Sequence, residues 1–233
     1  MAKKTQETKI LVTGGAGYVG SVVTEELLAS GRKVVVVDDL RQGHRDAVAK
    51  DAELVIGDIR DEILLEDIFK SAKIEAVVHL AADSIIGASM TDPRLCLENN
   101  VIGGMTILKQ MLKHKVANFV FSSSAAVYGE PRSVPIDESH PTEPINTYGE
   151  SKLLFERILV WYGRAYGLKY ISLRYFNAAG ASERFGEDHR PETHLVPCVL
   201  AAASGKVASM AVFGNDYPTK DGSCVRDYIH VVD

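Results

Sequence analysis

The sequence predicts an α/β protein built on a parallel sheet with helices on both faces, and three observations carry that prediction. Short β-branched runs alternate with longer amphipathic patterns from residue 9 to about 173, the order expected when each strand returns through a crossover helix. The strand candidates are apolar throughout, as strands covered on both faces should be. The first of them runs straight into a glycine-rich turn and then a helix, the order of a doubly wound, Rossmann-type sheet.

Lys9 to Thr13 is the first strand, followed by Gly14-Gly15-Ala16-Gly17 and a helix from Tyr18 to Ser30. Lys33 to Val37 and Glu53 to Ile56 are the second and third strands, and apolar residues at three- and four-residue spacing mark a helix from Asp61 to Ser71. Ala76 to Leu80 is the fourth strand, and one long helix is expected over Pro93 to His114. Phe119 to Ser122 is the fifth, a helix follows over Thr147 to Tyr166, and Lys169 to Leu173 is the sixth. Between Glu130 and Asn146, Pro131, Pro135, Pro141 and Pro144 cannot continue a helix or a central strand, which leaves a surface loop. Past Asn177 the pattern loosens around Gly180, Gly186, Pro191, Gly205, Gly214 and Pro218, which predicts a smaller lobe of loops, short strands and a helix near Leu195 to Ser204. The expected division is a Rossmann domain over 1–177 and part of a ligand-binding lobe over 178–233.

A chain of 233 residues can bury a substantial core, and 46% hydrophobic with 24% charged residues excludes a disordered composition. A formal charge of −5 without a Lys/Arg stripe argues against nucleic acid. Cys96, Cys198 and Cys224 are too few and too scattered for a disulfide framework, so a reducing compartment is expected. The start, Met1 to Thr8, has no apolar segment of signal length, and nowhere do eighteen apolar residues run together, so the expected location is cytoplasmic, away from membranes. Among seven histidines the closest pair, His189 and His194, shows no recognisable metal-ligand pattern, and no metal is expected.

The glycine turn places Gly14, Gly17 and Gly20 where a backbone must approach a pyrophosphate at a helix N-terminus. The second strand ends in Asp38-Asp39, eighteen residues past Gly20, where a carboxylate can accept bonds from ribose hydroxyls. Two carboxylates there would repel an extra 2′-phosphate and point to NAD, although Arg41 and Arg45 keep NADP open. Asp58 is placed either against the adenine edge or as the N-cap of the helix beginning near Asp61.

Ser122-Ser123-Ser124 follows the fifth strand, at the carboxyl edge where open parallel sheets bind ligands, and Tyr148-Gly149-Glu150-Ser151-Lys152 opens the next helix. Tyr148 and Lys152 lie four residues apart, only about 40° apart on one helical face. A tyrosine ionises near pH 10, so a phenolate base at neutral pH needs roughly three units of lowering, about 4 kcal/mol. Lys152 and a cationic nicotinamide ring are the expected sources.

This combination resembles the extended short-chain dehydrogenase/reductase family and, within it, the UDP-sugar 4-epimerases. The resemblance rests on Val12 to Gly20, Phe121 to Gly129, Tyr148 to Lys152, Leu173 to Gly180, Val212 to Gly222 and Val225 to Val231, and so spans essentially the whole chain. It implies that Tyr148 takes the proton from a sugar 4-hydroxyl with help from Ser124, while hydride passes from C4 to NAD. The 4-keto sugar turns over, takes the hydride back on its other face and is reprotonated, interconverting UDP-galactose and UDP-glucose. It further implies NAD contacts at Tyr18, Val19, Asp38, Asp39, Leu40, Asp58, Ile59, Leu80, Ala81, Ala82, Asn99, Ser122, Lys152 and Phe176. Asn177, His194, Leu195, Phe213 and Arg226 match uridine and diphosphate contacts, where an arginine makes strong charge-assisted bonds.

Ser84 stands where some relatives carry lysine, and His194 where some carry asparagine. Relatives also continue past the position of Asp233 through further elements, so the second lobe is expected to be truncated. The resemblance implies a homodimer packed through two helices per subunit, with Leu153, Leu154, Ile158, Trp161 and Tyr162 as candidate contacts. Two alternatives differ in chemistry. A sugar-nucleotide dehydratase needs an Asp-Glu pair where this chain has Ala125-Ala126, and a non-catalytic NAD-binding domain is expected to have lost Tyr148 or Lys152. A further alternative within the resemblance is a 4-epimerase acting on the UDP-N-acetylglucosamine or UDP-glucuronate derivative.

Overall fold

Strand β1 (Thr8–Thr13) lies inside a six-stranded sheet, paired in parallel with β2 (Lys33–Asp38) on one side and β4 (Lys73–His79) on the other. The structure is a computed structural model and describes residues 7–233; the expected absence of a leader falls chiefly on residues 1–6, which lie outside the described residues. With β3 (Glu53–Ile56), β5 (Asn118–Ser124) and β6 (Lys169–Tyr175), the order is β3-β2-β1-β4-β5-β6, every pairing parallel. That order reverses direction between β1 and β4, which opens a crevice at their carboxyl ends. The Rossmann-type doubly wound fold is present.

Residue alternation along the strands builds two cores. Leu11, Val35, Val37 and Val77 face one side with Phe119 and Phe121, packing on Leu65, Ile68 and Phe69 of α2 (Glu62–Ser71), Ile107, Leu108 and Met111 of α5 (Gly104–His114), and Phe155 and Leu159 of α6 (Thr147–Tyr166). Ile10, Val12, Val34 and Val36 face the other side with Leu27 and Leu28 of α1 (Tyr18–Ala29). Such burial stabilises by about 1.5–3 kcal/mol per large side chain. Complete double coverage stops at the two edge strands, at β6, whose Ile171 and Leu173 are 59% and 38% exposed, and at β3, whose Ile56 is 44% exposed. The expectation that all six strands are covered on both faces is corrected there.

Helix α6 has the expected bounds because both ends are specified locally. Asn146 accepts from Gly149 N at its start, and Gly167 closes it with φ 71°, a left-handed turn that glycine adopts without a Cβ clash. The helix expected over Pro93 to His114 runs without interruption but carries a π-helical turn within it. It follows α3 (Ile86–Thr91) and consists of α4 (Pro93–Leu97), a π-helical turn over Glu98–Gly103, and α5. An i→i+5 turn rotates the faces before and after it, a change that three- and four-residue spacing cannot register. Gly103 and Gly104 lie where the π-helical turn passes into α5: a Cβ on Gly103 would fall 2.6 Å from Ile59 Cδ1, and one on Gly104 2.4 Å from the Phe155 ring.

Residues 130–146 form the expected loop, with neither helix nor strand. The second lobe holds β7 (Asn177–Ala179) paired in parallel with β8 (Tyr228–His230), and α7 (Leu195–Ala203). Phe185 is the one buried anchor of its long loop among the described residues, packing on Val22 and Ala49. No helix among the described residues is long and apolar enough to cross a membrane.

Candidate active site at the carboxyl edge of the sheet

The turn after β1 is compressed by two glycines and opened by a third. Gly14 has φ 74°, and a Cβ there would meet Ala81 N at 2.5 Å; a Cβ on Gly20 would lie 2.0 Å from Gly14 O. These two let the turn lie against the segment Leu80-Ala81-Ala82 and let α1 approach the turn. Gly17 differs: its Cβ would meet only Gly14 O, at 3.4 Å, so its Cα faces free space. Gly17 is also the N-cap of α1, with no side-chain cap and no acidic residue in the first turn. The amides of Tyr18, Val19 and Gly20 therefore begin a 12-residue helix whose positive end is left for an anion. This cradle fits the pyrophosphate of a dinucleotide.

Asp38, 8% exposed, accepts from Ala16 N at 3.0 Å and Leu40 N at 2.9 Å. It ties the glycine turn to the end of β2 and holds Leu40 at φ 59°. Burial pushes its carboxyl pKa up, against the pull of those two amides. Arg41 is bound to Asp39 through Nε at 2.5 Å and reaches Asn99 Oδ1 at 3.3 Å and Asp83 at 3.6 Å. An arginine engaged by two carboxylates is poorly placed to receive a 2′-phosphate, which favours NAD over NADP. Asp58 is held by Arg60, whose guanidinium keeps its pKa low. The N-cap of α2 is Asp61, which accepts from Ile63 N and Leu64 N, so the capping alternative for Asp58 is set aside. Ile59 is buried against Gly103, and Asn99 is buried in the π-helical turn.

Across the switch point, β5 and α6 present the serines, Tyr148 and Lys152 to one another. Lys152 is 2% exposed and donates Nζ to Ser122 O at 2.7 Å, with Nζ 5.6 Å from the centre of the Tyr148 ring. Ser124 Oγ accepts from Ala126 N at 3.1 Å and fixes the turn ending β5, and the same side chain hydrogen-bonds half-buried Tyr148. The electrostatics depart from expectation. Burial pushes the Tyr148 pKa up, the Ser124 hydrogen bond opposing it, and burial pulls Lys152 down to about 8. Tyr148 by itself thus keeps its proton at neutral pH, because desolvation of the anion outweighs the Ser124 hydrogen bond that favours it.

Sequence reasoning missed the next member of this face. Glu156, four residues past Lys152, accepts from Ser123 Oγ at 2.5 Å and from Arg174 Nε and Nη2 at 3.0 and 2.6 Å. Arg174 lies 4.9 Å from the centre of the Tyr128 ring. The serine run on β5 therefore meets Tyr148, Lys152 and Glu156 in successive turns of α6. The signal was present as an i, i+4, i+8 series, but a carboxylate on a helix reads as a solvated face until its partner strand is known.

The expected nucleotide-sugar residues are less closely gathered. Asn177 on β7 donates Nδ2 to Asp227 O at 2.6 Å and so lies beside Arg226, whose Nη1 donates to Val225 O at 3.0 Å. Leu195 is 51% exposed and Phe213 88%, and Phe213 in particular is not brought into a closed pocket; Phe176, expected on the cofactor side, is 40% exposed. His194 precedes α7, with Nδ1 2.8 Å from Glu192 Oε1. His189 and His194 do have carboxylate neighbours, Glu187 and Glu192, where no recognisable metal-ligand pattern was expected. The spacing Glu-x-His-x-x-Glu-x-His was legible in the sequence.

Sheet order, glycine cradle and the Tyr148–Lys152 pair define a nucleotide-binding protein of the short-chain dehydrogenase/reductase type. Comparison with known proteins narrows the class: the model of the NAD dependent epimerase/dehydratase family matches residues 10–233, and the chain belongs to that family. It is similar to UDP-glucose 4-epimerase of Halalkalibacterium halodurans, 54% identical over 226 residues, which cover 96% of this chain and 67% of that protein. A crystal structure of a UDP-glucose 4-epimerase superposes with a TM-score of 0.93 at 50% identity, covering 96% of this chain and 69% of the other. That of the Bifidobacterium longum UDP-glucose 4-epimerase in complex with NAD+ and UDP does so at 0.92 and 40%, covering 97% and 70%.

Proposed function

We propose that the chain catalyses NAD-dependent 4-epimerisation of a UDP-hexose, interconverting UDP-galactose and UDP-glucose. The observation that carries this reading is the seating of Lys152 Nζ on Ser122 O, with Tyr148 and Ser124 beside it, at the carboxyl edge next to the glycine cradle. Similarity to UDP-glucose 4-epimerases over 96% of the chain supports the substrate class.

Bound NAD supplies the acceptor and donor of the C4 hydride. The chain's residues do the rest. Gly14, Gly17 and Gly20 with Tyr18 and Val19 receive the pyrophosphate. Asp38, Asp39, Leu40, Asp58, Ile59 and Asn99 line the adenosine end, and Leu80, Ala81, Ala82, Ser122 and Phe176 the nicotinamide end. Tyr148 Oη accepts the 4-hydroxyl proton and later returns it, Ser124 Oγ holds that oxygen in line, and buried Lys152 favours the phenolate. Because burial opposes ionisation of Tyr148, the positive charge of the oxidised nicotinamide is needed before the proton can leave, which couples base activation to a loaded site. Asn177, His194, Leu195, Phe213 and Arg226 hold the UDP moiety.

The domain division at 1–177 and 178–233 belongs to the same proposal, with β7 straddling the boundary. So does a homodimer, on a revised surface. Leu153 is buried, and Ile158 and Tyr162 pack on the core, so α6 offers Leu154 and Trp161, 38% and 64% exposed. Met90, Leu95, Ile102 and Met105 on α3, α4, the π-helical turn and α5 are exposed as well. Three free thiols fit a cytoplasmic location.

The test is Tyr148→Phe on full-length protein with UDP-galactose. The rate of UDP-glucose formation should fall by about 10²–10⁴-fold with NAD still bound. Near-normal turnover would reject the assigned proton acceptor, and tight NAD binding without turnover in the unaltered protein would support a non-catalytic domain.

A further inference from the structure

We propose that Glu187, His189 and His194 form a divalent-metal site of the zinc class on the loop that enters α7. Their ligand atoms all lie within 4.8 Å of one another. Glu187 and His189 are partly sheltered, with side chains 11% and 23% exposed, and Glu187 Oε1 lies against His189 Nδ1. Glu187 Oε2 is 3.9 Å from His194 Nδ1, and the two imidazole rings are 5.0 Å apart.

Simple hydrogen bonding does not require this convergence. Glu192 Oε1 already stands 2.8 Å from His194 Nδ1, and Glu187 already serves His189. The His194 ring is nonetheless directed at Glu187 as well, so that two imidazoles and a carboxylate share one centre. Two nitrogens and one carboxylate oxygen are a donor set that suits Zn²⁺ and leaves a fourth position for water or Glu192.

The surroundings give such an ion a structural role. Between the ligands and the glycine turn, Asp188 O is 2.8 Å from His44 Nε2, Tyr18 Oη donates to Gly180 O at 2.7 Å, and Phe185 is buried on α1. A metal on Glu187, His189 and His194 would pin the loop between the start of α7 and the dinucleotide cradle. With Nδ1 of His194 on the ion, the ring proton sits on Nε2, which turns that nitrogen into a fixed donor.

Titrating chelator-treated full-length protein with ZnCl₂ tests the site. One ion per chain is expected, with at least about tenfold weaker binding in both Glu187→Gln and His189→Gln and unchanged binding in Cys198→Ser and Cys224→Ser. The Co²⁺-loaded native chain should show tetrahedral d–d bands without thiolate-to-cobalt charge transfer, a readout independent of how any variant folds. Absence of saturable binding, unchanged affinity in both variants, or a thiolate band would overturn the assignment. Metal binding is the readout throughout, so loss of the epimerase reading would leave this result standing.

Discussion

Lys152 is the residue at which the proposed function and stability conflict most plainly. Burial takes its pKa from the ordinary 10.5 to about 8, so below pH 8 the fold holds a charged ammonium in a site that disfavours it. Between about pH 8 and 10.5 the unfolded chain binds a proton that the native chain has lost, and stability rises with pH through that window. Lys152→Met, similar in length and uncharged, should therefore be more stable than the native chain at pH 7 by about 1–3 kcal/mol, lack the rise above pH 8, and be inactive. Urea unfolding at pH 7 and pH 9.5 reads all but the last; equal or lower stability of the variant at pH 7 would contradict the cost assigned to the charge. Tyr148 carries the complementary lesson. The sequence placed it correctly beside Lys152 but could not weigh desolvation against one cation, because burial belongs to the surroundings and not to the spacing.

At the scale of elements, the glycine turn separates folding from binding. Gly20→Ala puts a Cβ 2.0 Å from Gly14 O and should cost about 3 kcal/mol or more, since backbone cannot step aside as a side chain can. Gly17→Ala meets nothing closer than 3.4 Å and should cost under about 1 kcal/mol, yet weaken NAD binding at least tenfold by filling the space in front of the first-turn amides. Thermal unfolding and NAD titration on both variants check the contrast, and equal loss of stability in the two would refute it. The glycines were legible in sequence, but their division of labour was not. The same holds for Pro93 to His114: its apolar residues were read correctly, while the π-helical turn that redirects them depends on Ile59 and Phe155 arriving from other elements. Glu156 became visible as part of the site only when β5 brought Ser123, and β6 brought Arg174, to the same face.

At the scale of the whole molecule, His79 is among the most fully buried titratable groups of the described residues. It shares a hydrogen bond with Thr13 Oγ1 and stacks among Phe119, Phe121 and Phe155, and burial, then the charge of Lys152, lowers its pKa from 6.5 to about 3. The native ring stays neutral where the unfolded one is charged, so stability falls as pH drops from 6.5 towards 3, by up to about 5 kcal/mol. His79→Gln should flatten that slope in urea unfolding between pH 6.5 and 4, and an unaltered slope would place the acid sensitivity elsewhere. The exposed apolar residues on α3 to α6 carry the remaining expectation. Light scattering on full-length protein should give twice the monomer mass, and Trp161→Glu should shift it towards the monomer; a monomeric native protein would remove the proposed interface.

Taken by itself, the sequence determined what depends on local spacing: the strand and helix order, the glycine turn, the bounds of α6, and the pairing of Tyr148 with Lys152 one helical turn apart. These follow from periodicity and backbone sterics, which a chain carries wherever it folds. Tertiary structure decided what depends on meeting. It gave Asp38 its hold on the turn, Arg41 its carboxylates and Glu156 its partners, and it brought Glu187, His189 and His194 to one centre. It also set the direction of each pKa, because desolvation and Coulomb attraction act through space and are defined only once distant segments pack together.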